Sequence, residues 1–295
     1  MTRILEGDPV ATEIEAEVDR DLRDLSAAGV TPGVAVVSMS DAPADRRFVE
    51  LKRSACEDRG IDPTVVDVDP EAPAADLYRA VERVGDDPSV HAVFVQVPVP
   101  DRVDLAAVRE RIPPRKDVDC FHPENLGCLV SGRPFLPPVT THAVQRLLAA
   151  YDVDPAGMDV AVVGRGAIGI QLSNALLADR AGGNATVTVC HSRTADLGAK
   201  TRAADLVVTA CGVPELVDGS MLSAGAVVVD VSTNRVESAG GTETVGDVEF
   251  ESAVEVASAI TPVPGGVGPV TLASFLRNVV RAACRADLPG PRVDG

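Results

Sequence analysis

Gly164, Gly166 and Gly169 form a GxGxxG run in VAVVGRGAIG, between a stretch that reads as strand and one that reads as helix. That spacing suits a pyrophosphate. One glycine permits a tight turn, one lets the backbone approach the phosphates, and one allows close helix packing at a helix N-terminus. A plain structural turn is the competing reading. An NAD site places a carboxylate at the end of the next strand, to hold the ribose 2′-hydroxyl. Here that strand, ATVTVC, runs into His191, Ser192, Arg193 and Thr194, and no carboxylate comes before Asp196. Arg165 lies inside the glycine run. Positive charge and hydroxyl donors suit a 2′-phosphate, so the expected cofactor is NADP.

Three more polar residues sit where chemistry could be done. Lys52 lies in the helix-like FVELKRSAC, Gln96 closes the apolar strand VFVQVPVP, and Asp119 lies in KDVDCFHP beside Asp117. A glutamine ending a buried strand before prolines falls at the carboxyl edge of a sheet, where α/β clefts form. Each alone has a bland reading: a solvated helix lysine, an edge glutamine, a turn aspartate. Lysine is rare in this chain, being only Lys52, Lys116 and Lys200, and that rarity raises interest in Lys52. The run ITPVPGGVGPVT at 260–271 mixes Pro262, Pro264 and Pro269 with Gly265, Gly266 and Gly268, and carries no charge. Proline fixes φ and glycine permits positive φ, a mixture for a loop of one rigid shape against a flat ligand.

The elements that must position these residues alternate along the chain. A helix is expected over 12–28, then strands over 33–40, 63–69 and 91–100 with helices over 46–60, 72–87 and 104–112 between and after them. This alternation implies an open, largely parallel sheet. The stretch 113–140 carries six prolines and little periodicity, and reads as a connection between domains. A helix over 142–154 follows, then the glycine run and further strands. At 295 residues the chain has room for two domains, and 45% hydrophobic with 3% aromatic residues builds cores of Val, Leu, Ile and Ala.

A formal net charge of −17 argues against nucleic acid or an anionic membrane as partner. It fits a high-salt cytoplasm, where screening tolerates like charge, or a merely acidic mesophile; scarce lysine favours the halophile. Six cysteines lack CxxC spacing and read as reduced cytosolic thiols. The four histidines show no metal-ligand spacing, so no metal is expected. No signal peptide or membrane span is expected.

FVELKRSAC, QVPVP, KDVDCFHPENLG, CHSRT and the 260–271 loop together resemble the bifunctional 5,10-methylenetetrahydrofolate dehydrogenase/5,10-methenyltetrahydrofolate cyclohydrolase family. The resemblance runs from about residue 30 to 285. It implies an α/β protein of two domains. A folate-binding catalytic domain spans 1–137 and is completed by 271–295, with its C-terminal helix. A Rossmann-type NADP domain spans 138–270, and the active site lies in the cleft between the two. It implies Lys52 as the catalytic lysine, Gln96 as its hydrogen-bonding partner and Asp119 as the anchor of the pterin ring. Phe48, Val97, Pro98, Pro262, Pro264, Gly265 and Gly266 would flank the folate. NADP would lie on Gly164, Arg165, Gly166, Ala167, Ile168 and Gly169, on His191, Ser192, Arg193 and Thr194, and on Cys211, Gly212, Val213 and Thr233. Arg165 and Ser192 would meet the 2′-phosphate. The family's glycine loop usually reads GRS before a V-G pair; GRGAIG is one residue shorter.

The implied reaction oxidises 5,10-methylenetetrahydrofolate with NADP⁺ and hydrolyses the methenyl product to 10-formyltetrahydrofolate. It implies a cytoplasmic homodimer serving one-carbon metabolism and purine biosynthesis. A lysine acting as base near neutral pH needs its pKa, about 10.4 when free, lowered by burial or nearby cations. Arg53 and the cationic substrate are candidate neighbours. Two departures matter. Phe48 stands where the family has tyrosine, so weaker cyclohydrolase activity, or a water in the hydroxyl's place, is expected. Cys120 replaces the usual glycine after Asp119. The alternatives are a monofunctional dehydrogenase on a reduced pterin and a non-catalytic pterin- or nucleotide-binding protein.

Overall fold

The computed structural model describes residues 2–238 and 241–286. In chain order the first elements are β1 (Arg3–Ile4), α1 (Asp8–Ala27), β2 (Gly33–Ser38), α2 (Pro43–Glu57), β3 (Asp62–Asp67), α3 (Ala74–Asp86), β4 (Ala92–Val95), α4 (Leu105–Glu110) and α5 (Pro123–Val130). There follow α6 (Val139–Ala150), β5 (Asp159–Val163), α7 (Ala167–Leu177), β6 (Thr186–Cys190), α8 (Leu197–Arg202), β7 (Leu206–Thr209) and β8 (Val227–Asp230). The last are β9 (Asn234–Ser238), β10 (Gly241–Val245), α9 (Phe250–Val254), β11 (Ala259–Ile260) and α10 (Val267–Cys284).

The chain forms two compact units. Among the described residues, an amino-terminal unit holds Ile14–Val139 and 275–286, and a central unit holds 2–13 and Thr140–Ser274. The ends differ from the expected division. β1 pairs in parallel with β11, so the first residues join the central unit's sheet. A pairing between the two ends of the sequence leaves no local signal. Of the expected spans, Met1, Ala239, Gly240 and 287–295 lie outside the described residues.

The amino-terminal unit carries a parallel sheet in the order β3-β2-β4. All six residues of β2 are buried, as a central parallel strand requires. Strand alternation divides β4 between two cores. Ala92 and Phe94 pack with Cys56 of α2 and Phe275 and Val279 of α10, whereas Val93 and Val95 pack with Leu77 and Val81 of α3. β4 stops at Val95, short of the expected 100, where Pro98 and Pro100 can donate nothing to a ladder.

The central unit carries a parallel sheet in the order β1-β11-β8-β7-β5-β6, with β9 and β10 as a separate antiparallel hairpin. From β5 the chain steps outward to β6 and then crosses back to β7. The strand order therefore reverses between β5 and β7, the place where such sheets bind ligands.

Two expectations change. The stretch 113–140 contains α5, which starts on Pro123 in its first turn with the His122 ring accepting from Glu124 N at 3.1 Å. The helix expected from 271 begins at Val267. Pro269 falls in its first turn, where an N–H has no intrahelical partner to lose.

Candidate active site

In the amino-terminal unit, α2 brings Asp45, Phe48, Lys52 and Cys56 to one face through spacings of three and four residues. Opposite them, β4 and its continuation present Phe94 and Gln96 by strand alternation. The Lys52 Nζ lies 4.3 Å from the centre of the Phe94 ring, 5.8 Å from Phe48 and 5.9 Å from Phe275. Burial lowers the Lys52 pKa, while the charge of Asp119 and, more weakly, Cys56 raise it. Arg53, a suggested neighbour, does not take part. It bonds to Glu50 and Glu57 along the outer face of α2, and burial takes the role given to a cation.

Asp117 and Asp119 separate by what holds them. Asp117 is 1% exposed and accepts from His122 N and Asn125 Nδ2, both at 2.8 Å. Those bonds fix the turn into α5, so Asp117 is a structural carboxylate. Asp119 is only partly buried. Burial, reinforced by the charge of Asp117, pushes its pKa up to about 7 against the pull of Lys52 and Arg109. The segment carrying it is pinned from both sides. Val93 N donates to Lys116 O at 2.6 Å, and Asn278 Nδ2 of α10 donates to Val118 O at 3.0 Å. Cys120, in the family's glycine position, adopts φ +60° and is buried. That backbone is one glycine takes freely and a side chain takes at a cost.

Gln96 is 6% exposed. Its Nε2 donates to Val97 O at 2.6 Å and to Asp45 Oδ1 at 3.4 Å, while its Oε1 is buried without a partner. Gln96 is thus tied to Asp45, and no hydrogen bond joins it to Lys52 among the described residues. Phe48 is 45% and Val97 42% exposed, and Pro98 is exposed beside them.

In the central unit the glycines divide as their spacing suggests. A Cβ on Gly164 would lie 2.2 Å from Ala210 O, and one on Gly169 2.2 Å from Gly164 O, so both are forced by backbone packing. A Cβ on Gly166 would meet nothing within 4 Å. Gly166 starts α7 with no side-chain cap, leaving Ala167, Ile168 and Gly169 in a first turn whose N–H groups are open to an anion. Val163 to Gly166 after β5, His191, Ser192 and Thr194 after β6, and Ala210, Cys211 and Val213 after β7 line a cavity of about 520 Å³.

Arg165 is the charged side chain of that lining, and no carboxylate belongs to it. Asp196, the nearest carboxylate after β6, is committed elsewhere, capping α8 by accepting from Ala199 N at 2.9 Å. His191 and Thr194 also build the turn, with Thr194 Oγ1 accepting from His191 N at 2.8 Å. Of the expected cofactor residues, Ala167, Ile168, Gly169, Arg193, Gly212 and Thr233 do not line the cavity.

Asp247 escaped the sequence reading. Its carboxylate accepts from Cys211 N at 2.8 Å, Gly212 N at 3.1 Å and Val213 N at 2.8 Å. It also accepts from Ser232 Oγ at 2.6 Å and Asn234 Nδ2 at 2.9 Å. Burial would raise its pKa, but bonds from Ser232, Asn234 and Cys211 outweigh burial and hold it below the usual range. Cys211 Sγ donates to the same carboxylate at 3.1 Å, and burial with that bond pushes the thiol up to about 12. The Cys211 thiol is thereby held in its neutral form.

The 262–266 loop belongs to the central unit. Gly7 N donates to Gly265 O at 2.7 Å, and a Cβ on Gly7 would lie 1.9 Å from Gly266 O. Gly265 has φ +103°, and a Cβ on Gly266 would lie 2.5 Å from Pro262 O. The loop with Pro262, Pro264, Gly265 and Gly266 thus has one packed shape.

Comparison with known proteins places both units. Residues 5–119 match the family model for the tetrahydrofolate dehydrogenase/cyclohydrolase catalytic domain, and residues 138–287 match that family's NAD(P)-binding domain. The bifunctional protein FolD of Haloquadratum walsbyi is 49% identical over 286 residues, covering 97% of this chain and 92% of that protein. The crystal structure of the bifunctional FolD methylenetetrahydrofolate dehydrogenase/cyclohydrolase from Campylobacter jejuni superposes with a TM-score of 0.90 at 38% identity, covering 97% and 100% of the two chains. That of the Trypanosoma brucei enzyme, complexed with NADP cofactor and inhibitor, gives 0.90 at 35% identity, covering 98% and 99%.

Proposed function

The chain belongs to the tetrahydrofolate dehydrogenase/cyclohydrolase family, and on that premise we propose that it oxidises 5,10-methylenetetrahydrofolate with NADP⁺ and hydrolyses the methenyl product to 10-formyltetrahydrofolate. The observation that carries the reading is the division of the two aspartates: Asp117 is consumed by the turn into α5, and Asp119 shares its field with Lys52.

The central unit fits the cofactor. Gly166 and the open first turn of α7 would take the pyrophosphate, and Arg165 and Ser192 the 2′-phosphate. The loop at Cys211–Val213, tied to Asp247, would bound the rest. When bound, NADP⁺ accepts a hydride. The residues of the amino-terminal unit serve the folate. Ionised Asp119 accepts from the pterin N3–H and amino group and orients the ring. Phe48 and Val97 offer an exposed apolar surface to the aminobenzoyl group. Lys52 moves the protons of the hydrolysis, with a pKa that burial brings toward the working range. The buried Oε1 of Gln96, which has no partner here, would accept from the Lys52 ammonium or from the water-derived hydroxyl once the substrate is bound.

The 10-formyl product is a one-carbon donor for purine synthesis. A cytoplasmic homodimer belongs to the same reading; light scattering would show twice the chain mass of 30.6 kDa. Among the described residues no helix is long and apolar enough to cross a membrane.

Hydride transfer needs no protein proton, whereas hydrolysis does. Lys52→Met should therefore lower the hydrolysis of supplied methenyltetrahydrofolate by about 100-fold or more and spare most NADPH formation. Hydrolysis at the parent's rate would remove Lys52 from the reaction.

A further inference from the structure

The chain has six phenylalanines in 295 residues, and three of them, Phe48, Phe94 and Phe275, surround one ammonium. They come from three different elements, α2, β4 and α10, so no local sequence rule groups them. Phe94 and Phe275 are set edge to face, with centres 5.8 Å apart and planes at 81°. Ring faces carry partial negative charge, so a cation within about 6 Å of a ring centre is attracted, most strongly where water is thin. Phe275 is 1% exposed and Phe94 partly buried, so water is thin on that side.

We propose that Phe94 and Phe275, with Phe48, are positioning residues for Lys52: their rings cage the ammonium, fix where its proton is delivered and favour its protonated form. The proposal rests on the reading of Lys52 as the hydrolysis group. At Phe48, which carries no hydroxyl, the rings supply the charged lysine with a partner. The charged or titratable groups facing the ammonium are Asp119, from the segment after Val118, and Cys56 of α2 itself. β4 and α10 contribute Phe94 and Phe275. Burial works against the charge, while Asp119 and the cage work for it.

The scarcity of lysine gives a direct test. Lysine labelled with ¹³C at Cε yields signals from Lys52, Lys116 and Lys200 alone, and Lys52→Arg assigns the first. Phe94→Leu, which keeps an apolar side chain but no ring, should lower the Lys52 titration midpoint by about half a unit to one unit. Lys116 and Lys200 should stay where they are. Phe94→Tyr, which keeps the ring, should keep the parent midpoint. The pH profile of methenyl hydrolysis should move with the midpoint, whereas a purely structural loss would lower the rate at every pH alike. Phe48→Leu, at an exposed position, repeats the test if Phe94→Leu fails to fold, with the same direction and a smaller shift. An unmoved Lys52 midpoint in folded Phe94→Leu and Phe48→Leu would overturn the cage. A parent with no hydrolytic activity but a Lys52 midpoint that follows the rings would instead defeat the role given to Lys52.

Discussion

At the scale of residues, the aspartates explain why function and stability pull apart here. An ordinary carboxyl titrates near 3.9, and folded Asp119 titrates near 7 because burial and Asp117 both oppose its charge. A raised carboxyl pKa means that the fold binds a proton the unfolded chain releases. Stability is therefore lost as pH rises from about 4 through about 7. Asparagine resembles the neutral acid. Asp119→Asn should match the parent near pH 4 and be more stable at pH 8 by about 2–4 kcal/mol. It should also fail to bind the folate, since it cannot accept both pterin donors as a carboxylate does. Denaturant titrations at the two pH values check this, and equal stability at pH 8 would contradict the burial argument. Asp119 was legible in the sequence through KDVDCFHP, whose family match favours it over Asp117, but the physical basis of that division was not. That depends on which oxygen meets His122 N and Asn125 Nδ2.

At the scale of elements, the glycine run was legible because strand, turn and helix N-terminus are contiguous. Gly164, Gly166 and Gly169 each show the packing their spacing implies. Asp247 was illegible. It lies between β10 and α9, far along the chain from the loop it holds, and carries no local signal. Its role follows from a non-local pairing, Val217 N donating to Asp247 O at 3.0 Å, which sets Asp247 beside the segment that follows β7. A hydrogen bond to a charged group is worth about 1.5–3 kcal/mol. Asp247→Asn, which keeps one carbonyl acceptor and loses the charge, should raise KM for NADP⁺ about 10-fold. Hydrolysis of supplied methenyl substrate, which needs no cofactor, should be unchanged. A matching loss in both activities would show that Asp247 serves the fold as a whole. The same non-local logic hid Phe94 and Phe275, and it put β1 into the sheet of the central unit.

At the scale of the whole molecule, 44 acidic residues against 27 basic ones leave a surface that repels itself at low salt. At about 1 M salt the screening length falls to about 3 Å, and that repulsion is confined to near neighbours. The interior is another matter, since partly or fully buried charges such as Lys52 and Asp247 are screened far less. Activity should therefore rise with KCl because the folded molecule is favoured. The central claim is that one chain carries both the oxidation and the hydrolysis, with phenylalanine at position 48. It is tested most directly by giving the protein, in 0.1 M and in molar KCl, 5,10-methylenetetrahydrofolate with NADP⁺ or NAD⁺ and following NADPH, methenyl and 10-formyl products together. The account predicts NADPH and 10-formyltetrahydrofolate forming in step, faster in molar KCl and with NADP⁺ preferred. NADPH with a methenyl product that hydrolyses no faster than without protein would contradict it.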